Sequence, residues 1–311
     1  MTRTARAQDA VVGVDLGGTK TNAALIDREG HILRRATSRT PGRGGPGEIV
    51  RTVGRLVEQV GRHAHPLGVG VGSAGVIDHV RGEVVSATSV LRDWAGTPIR
   101  QVLEQWTGLP VVVDNDVHTH ALGELWRGRA REVHSMLLVA VGTGVGASLV
   151  LDGEVWHGAR HVAGHLGHIV SAYADGRPCV CGGWGHLESV ASGPAICAEV
   201  ARQTGEPVDR LQDVVHAADA GSAIETDALR QGALALGVAV GGVVNLLDPQ
   251  LVVVTGGVTG AGPSWWTAMD RALRAELLPA TRDVPVLDSE LGADAALLGA
   301  ARMAFERTSR V

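Results

Sequence analysis

Short apolar runs, each closed by glycine or an acid, alternate along this chain with longer segments of helical spacing. Val11-Val12-Gly13-Val14-Asp15-Leu16 ends in Gly17-Gly18-Thr19-Lys20-Thr21, and Ala23-Ala24-Leu25-Ile26-Asp27 resumes beyond that bend. Arg28-Glu29-Gly30 is a turn before Ile32-Leu33, so the chain opens as a meander of strands. After a Gly- and Pro-rich loop, residues 39–47, the stretch 48–63 places Ile49, Val53, Leu56, Val57 and Val60 on one face and predicts a helix. A strand over 67–71 runs into Gly72-Ser73-Ala74-Gly75. A short amphipathic helix over 99–106 precedes Pro110-Val111-Val112-Val113, a strand that delivers Asp114-Asn115-Asp116 to the start of a helix over 117–128.

The second half repeats the scheme. A strand over 136–141, a bend at Gly142-Thr143-Gly144-Val145-Gly146 and a strand over 147–151 are closed by the hairpin signal Asp152-Gly153. Helices are predicted over 194–203 and 226–247, a strand over 251–254 running into Thr255-Gly256-Gly257, and a last helix over 293–307. The pattern implies two α/β lobes facing one cleft. We expect 1–117 with 295–311 to form a small lobe and 118–294 a large one.

Composition narrows the function. The 311 residues are 45% apolar and 20% charged, as in globular proteins, and 28 Lys+Arg against 33 Asp+Glu leave no basic field for nucleic acid. The segment Met1 to Ala10 carries two Arg and lacks the apolar core of a signal peptide. Residues 133–151 carry no Asp, Glu, Lys or Arg over nearly the length of a bilayer span, yet the glycine bend in their middle fits two buried strands better. The uncharged stretch 249–269 is broken in the same way, by glycines and Pro263. We expect a soluble, cytoplasmic protein with no membrane partner. Three cysteines exclude a disulfide scaffold, and Cys179-Val180-Cys181 suggests metal before redox chemistry.

The candidate chemistry lies at the strand ends. Asp15-Leu16-Gly17-Gly18-Thr19-Lys20 offers backbone amides, a hydroxyl and a cation to a phosphate, with Asp15 placed to face Mg²⁺. Alone it reads equally as a hairpin, and its spacing is neither that of a Walker A loop nor a dinucleotide fingerprint. The further turns at Thr143-Gly144 and Gly256-Gly257 favour a nucleotide site. Asn115 and Asp116 suit a helix N-cap, and Asp116 equally suits a general base at a cleft mouth; the two readings are compatible. His168, Cys179, Cys181 and His186 match a tetrahedral structural Zn²⁺ site. Cys197 falls in a predicted helix and reads as core, whereas His31, His63 and His216 read as surface residues.

Taken together, these motifs resemble the ROK family of sugar kinases and repressors over nearly the whole length. The resemblance rests on the segments Asp15 to Lys20, Leu109 to Asp116 followed by Ala121-Leu122-Gly123-Glu124, and Gly142 to Gly146. It continues through Ala163-Gly164-His165-Leu166-Gly167-His168, Cys179 to Glu188, and Asn245-Leu246-Leu247-Asp248-Pro249 leading to Gly256-Gly257. It implies the two-lobed, actin-like ATPase (ribonuclease H-like) α/β fold. It also implies an ATP-dependent kinase acting on the 6-hydroxyl of a hexose, with ATP, Mg²⁺ and structural Zn²⁺. Asp116 matches the catalytic base. Asn115, His168 and Glu188 match sugar contacts, His168 also being a zinc ligand, and Gly75 and Thr88 lie on loops that touch the sugar in some members. Asp15, Gly17, Gly18, Thr19, Lys20, Thr143, Gly144, Gly256 and Gly257 match the ATP and Mg²⁺ contacts.

The chain departs from the family pattern at three places. His186 stands where a third cysteine is usual, and Ala74 where a proline is usual. His165 replaces a glutamate that contacts the sugar. A carboxylate only accepts hydrogen bonds, whereas a neutral imidazole accepts one and donates one, so the sugar preference must change. Glucose is the default substrate; an amino sugar (kanosamine, glucosamine) or N-acetylmannosamine is the alternative, and a sugar-binding regulatory protein without catalysis is a further one. A DNA-binding repressor of the family would carry a helix-turn-helix segment before the first strand, where only Met1 to Ala10 stand. By analogy the protein is expected to be a homodimer or homotetramer.

Overall fold

The computed structural model describes residues 9–88 and 91–309; most of the N-terminal segment read against a signal peptide, Met1 to Gln8, lies outside them. Two compact units form. The first takes the chain up to Glu132, then Val155–Ala163, then Glu290 onward; the second takes Val133–Glu154 and Gly164–Ser289.

In the first unit, β1 (Ala10–Leu16), β2 (Lys20–Asp27) and β3 (Ile32–Arg39) form the expected meander. β4 (Val69–Ser73) and β7 (Val111–Asn115) extend it to a five-stranded sheet in the order β3-β2-β1-β4-β7. β1, β4 and β7 run parallel, with Asp15 opposite Gly72 and Ser73 opposite Asn115. Their carboxyl ends therefore gather the first glycine bend, the Gly72–Gly75 loop and Asn115-Asp116 on one edge, where open α/β sheets bind ligands. A small hairpin, β5 (Val76–Asp78) with β6 (Glu83–Ser86), follows β4.

Helix α1 (Pro46–Gly61) buries the face predicted for it, Ile49, Val53, Leu56, Val57 and Val60. Helix α2 (Ile99–Thr107) buries Ile99 and Leu103 and ends in a left-handed Gly108. Helix α3 (Asp116–Arg127) crosses the C-terminal helix α9 (Ala295–Ser309) at very short range. A Cβ on Gly123 would lie 2.1 Å from the carbonyl oxygen of Ala295, and one on Gly299 would lie 1.7 Å from that of Thr119. Only glycine permits this approach, and it keeps α3 in the first unit. The chain accordingly changes unit after Glu132, not at the expected 117/118 division.

The second unit repeats the topology. β8 (Met136–Val141) and β9 (Val145–Leu151) are antiparallel, β11 (Leu251–Thr255) runs parallel to β8, and β12 (Val286–Asp288) parallel to β11. With β10 (Glu154–Val155) on the far edge, the order β10-β9-β8-β11-β12 reproduces that of the first sheet. This is the duplicated α/β fold expected from the resemblance. The uncharged 133–151 stretch is two strands about a glycine bend, as predicted.

The helices of this unit are α4 (Glu188–Ala191), α5 (Gly193–Thr204), α6 (Leu211–Asp219), α7 (Ala223–Leu247) and α8 (Pro263–Glu276). Helix α7 is long and apolar enough to cross a membrane, but it packs along α8 and buries Leu229, Leu236, Val240 and Val244 in the core. Cys197 lies in that same core, as expected.

Candidate active site and metal loop

The first unit's site is built where β7 passes into α3. Asn115 is the N-cap: its side-chain oxygen accepts the backbone N–H of Val117 at 2.9 Å and of His118 at 3.3 Å, which occupies two of the helix's free donors. Its amide group donates to the carbonyl of Gly75 at 3.0 Å, tying the Gly72–Gly75 loop to the helix start. Asp116 follows as the first helical residue, where the positive end of the helix dipole favours a carboxylate. Burial nevertheless pushes its carboxyl above the ordinary carboxylate value, with the Val117 N–H bond opposing. Both readings of the pair, cap and base, are thus compatible with one geometry, the cap being made by Asn115.

Asp15, near the end of β1, accepts the Asn22 amide at 3.2 Å. Burial raises its pKa; His120 on α3 opposes that rise, and Asp116 adds to it. Two carboxylates and an imidazole therefore share one field. Burial in turn lowers the His120 pKa, which Asp15 raises. Sequence reasoning missed His120; its position four residues after Asp116 on a helix was the available signal. The bend at Gly17, Gly18 and Thr19 is closed by the Gly17 N–H to the Lys20 carbonyl at 3.1 Å, leaving Lys20 exposed at the start of β2. Thr88 is exposed, in irregular chain beyond β6.

In the second unit, the β8–β9 bend and the loop after β11 meet. A Cβ on Gly142 would come within 3.7 Å of the Gly257 nitrogen, and Gly256, at φ 103°, packs its α-carbon against the Val141 backbone. Thr143-Gly144 and Gly256-Gly257 are therefore neighbours, and Gly193 at the start of α5 donates to the Gly142 carbonyl at 2.9 Å. Glu188, opening α4, accepts the Val145 N–H at 2.9 Å. A side chain at Gly144 would collide with its carboxylate, and one at Gly167 with the Val145 carbonyl.

The candidate metal loop brings four ligand-type side chains of this unit together. One ligand atom from each of His168, Cys179, Cys181 and His186 lies within 4.8 Å of the others. His168 Nδ1 is 3.6 Å from Cys179 Sγ, and His186 Nδ1 is 3.2 Å from Cys181 Sγ. The loop is shaped by Cys179 N–H to the Gly183 carbonyl and Gly182 N–H to the Cys179 carbonyl, both at 2.9 Å, with Gly182 and Gly185 at positive φ. Two soft sulfurs and two imidazoles converging in this way fit a four-coordinate zinc ion. His165 stacks near His168, with ring centroids 6.1 Å apart.

Residues 11–307 match the ROK family. The glucokinase of Halalkalibacterium halodurans is 33% identical over 308 residues, covering 93% of this chain and 92% of that protein. The N-acetylmannosamine kinase of Salmonella arizonae is 33% identical over 293 residues, covering 94% of this chain and 97% of that one. The crystal structure of a ROK family glucokinase from Streptomyces griseus, in complex with glucose and AMPPNP, superposes with a TM-score of 0.84 at 31% identity. That match covers 96% of this chain and 99% of the other.

Proposed function

Because the chain belongs to the ROK family, we propose that it is an ATP-dependent kinase transferring the γ-phosphoryl group to the 6-hydroxyl of a hexose, with glucose as the first candidate. The ATP-dependent sugar kinase activity accords with full-length likeness to glucokinases and to an N-acetylmannosamine kinase. The observation that carries the residue roles is Asp116: a half-buried carboxylate of raised pKa, where β7 passes into α3, with Asn115 fixing the helix start.

Asp116 takes the proton of the sugar hydroxyl as its oxygen attacks the γ-phosphorus in line, the bond to the β–γ bridging oxygen breaking as the new one forms. Phosphoryl transfer needs little covalent help, so positioning and charge stabilisation carry the rate. Lys20 and the amides of Gly17, Gly18 and Thr19 suit the phosphates. Thr143, Gly144, Gly256 and Gly257 suit the nucleotide from the second unit. Asp15 would hold Mg²⁺, which when bound supplies charge neutralisation of the β- and γ-oxygens. Asn115, Glu188, His165 and His168 are the proposed sugar contacts, with Gly75 and Thr88 at their edge.

Zinc in the His168–Cys179–Cys181–His186 loop would fix the orientation of His168, a structural role in keeping with four protein ligands and no open position. The cytoplasmic location and the homodimeric or homotetrameric state are part of the same proposal, by analogy with the family.

The acceptor sugar is the open term, and His165 is the residue that bears on it. An ADP-release assay over glucose, mannose, glucosamine, N-acetylmannosamine and 3-amino-3-deoxyglucose tests the proposal. Turnover greatest on glucose identifies a glucokinase. Turnover confined to a modified hexose makes His165 the specificity residue. No turnover on any sugar, from protein that is folded and binds sugar, rejects the kinase in favour of a sugar-binding protein.

A further inference from the structure

The first unit concentrates histidines where the sequence reading assigned no chemistry. Asp114, the residue before Asn115-Asp116, is 3% exposed at the end of β7, and its two carboxylate oxygens are occupied by two different imidazoles. Oδ1 is 3.0 Å from His118 Nδ1, on the first turn of α3, and also accepts the Asn115 N–H at 2.7 Å. Oδ2 is 2.8 Å from His157 Nε2, on the Val155–Ala163 segment. One ligand atom from each of the three residues lies within 4.8 Å of the other two. His118 is 2% exposed, and its Nε2 is buried with no hydrogen-bond partner.

A second layer surrounds this cluster. The His79 ring stacks on His157 at 3.7 Å between centroids, 16° from parallel, and its Nδ1 is likewise buried and unpartnered. His161 meets His79 edge-on at 5.3 Å, and its Nε2 lies 3.8 Å from an oxygen of Asp78.

We infer that Asp114, His118 and His157 form a second metal site, distinct from the cysteine loop, for a divalent transition-metal ion of the zinc and cobalt class. Ligand bonds of about 2.0–2.1 Å put neighbouring donors roughly 3.3 Å apart around a tetrahedral ion. The imidazole nitrogens stand 3.0 and 2.8 Å from the two carboxylate oxygens, so a slight opening of these contacts would seat an ion between the three side chains. Two histidines and a carboxylate leave a fourth position for water, the donor set of an open site. The ligands come from a strand, a helix and a separate chain segment. A bound ion therefore pins Val155–Ala163 to the β7–α3 junction that carries Asn115 and Asp116. Stacked His79, backed by His161 and Asp78, restrains the His157 ring from one face.

Cobalt(II) distinguishes the two sites in one molecule, because cysteine thiolates give a near-ultraviolet charge-transfer band that imidazole and carboxylate do not. After dialysis against cobalt at neutral pH, the Cys179→Ser/Cys181→Ser protein is expected to retain one equivalent without the thiolate band. Adding His157→Gln should remove that equivalent. His157 is partly exposed, and a cooperative thermal transition checks the fold of each variant. Should the double cysteine variant fail to fold, the same loss is read as one equivalent fewer in His157→Gln than in the unsubstituted protein. His118→Asn should behave like His157→Gln. No retained cobalt in the folded cysteine variant, or retention undiminished by His157→Gln, overturns the site and leaves a hydrogen-bonded aspartate–histidine cluster.

Discussion

Asp116 combines two demands on one carboxylate, since burial makes it more basic while the helix N-terminus and the Val117 amide favour its charge. The rise prevails, so the acid limb of kcat/KM should lie above the ordinary carboxylate range. Activity falls as pH drops through that raised pKa, because the base must be unprotonated to act. A pH–rate profile checks this, and an acid limb at or below the value of a free aspartate would count against it. Asn115 separates cap from contact: Asn115→Asp keeps a good cap, while Asn115→Ala should lower stability by about 1 kcal/mol, read by denaturant melts. Both lose the amide that donates to Gly75, so both should raise the sugar KM. At His165, substitution to glutamate should shift the kcat/KM ratio between glucose and an amino hexose by roughly tenfold or more, with the ATP KM unchanged.

At the level of elements, the crossing of α3 on α9 is the contact most sensitive to a single added atom. Gly123→Ala would drive a methyl into the Ala295 carbonyl, and overpacking of this kind costs about 1–3 kcal/mol. Thermal melting should show that loss, and kcat should fall with it if helix displacement moves Asp116; an unchanged melt would mean that the helices separate freely. The same elements show what a sequence can reveal. The strands from Val11, Val111, Met136 and Leu251 are legible because short apolar runs end at glycine or an acid, and the Glu48 to His63 face because its apolar spacing is regular. β3 runs to Arg39 where only Ile32-Leu33 was expected, since an edge strand of exposed polar residues shows no apolar signal. α8, from Pro263 with Trp265 buried and Trp266 beside it, was hidden by flanking glycines, and the short α6 by its polar face. The grouping of His168, Cys179, Cys181 and His186 was legible because the four lie close in sequence. The histidines about Asp114 were not, because His79 and His157 reach it only through the fold.

Across the whole molecule, two sheets of identical order each place glycine turns at strand ends, one beside the acid pair and the other beside Glu188 and the metal loop. The proposed zinc loop lies in the second unit, so Cys181→Ser should lower the melting temperature and raise the sugar KM through His168 while sparing the proposed phosphate contacts of Lys20. An ATP KM that rose in step with the sugar KM would contradict that division. The central claim is that Asp116 is the base of a hexose kinase. Its most direct test is steady-state turnover of the best sugar by the unsubstituted protein and by Asp116→Asn, with sugar binding measured in parallel by calorimetry. The account predicts a fall in kcat of about 10²–10⁴-fold with sugar still bound, the scale of a lost general base. Turnover by a folded Asp116→Asn protein within a few-fold of the original would contradict it.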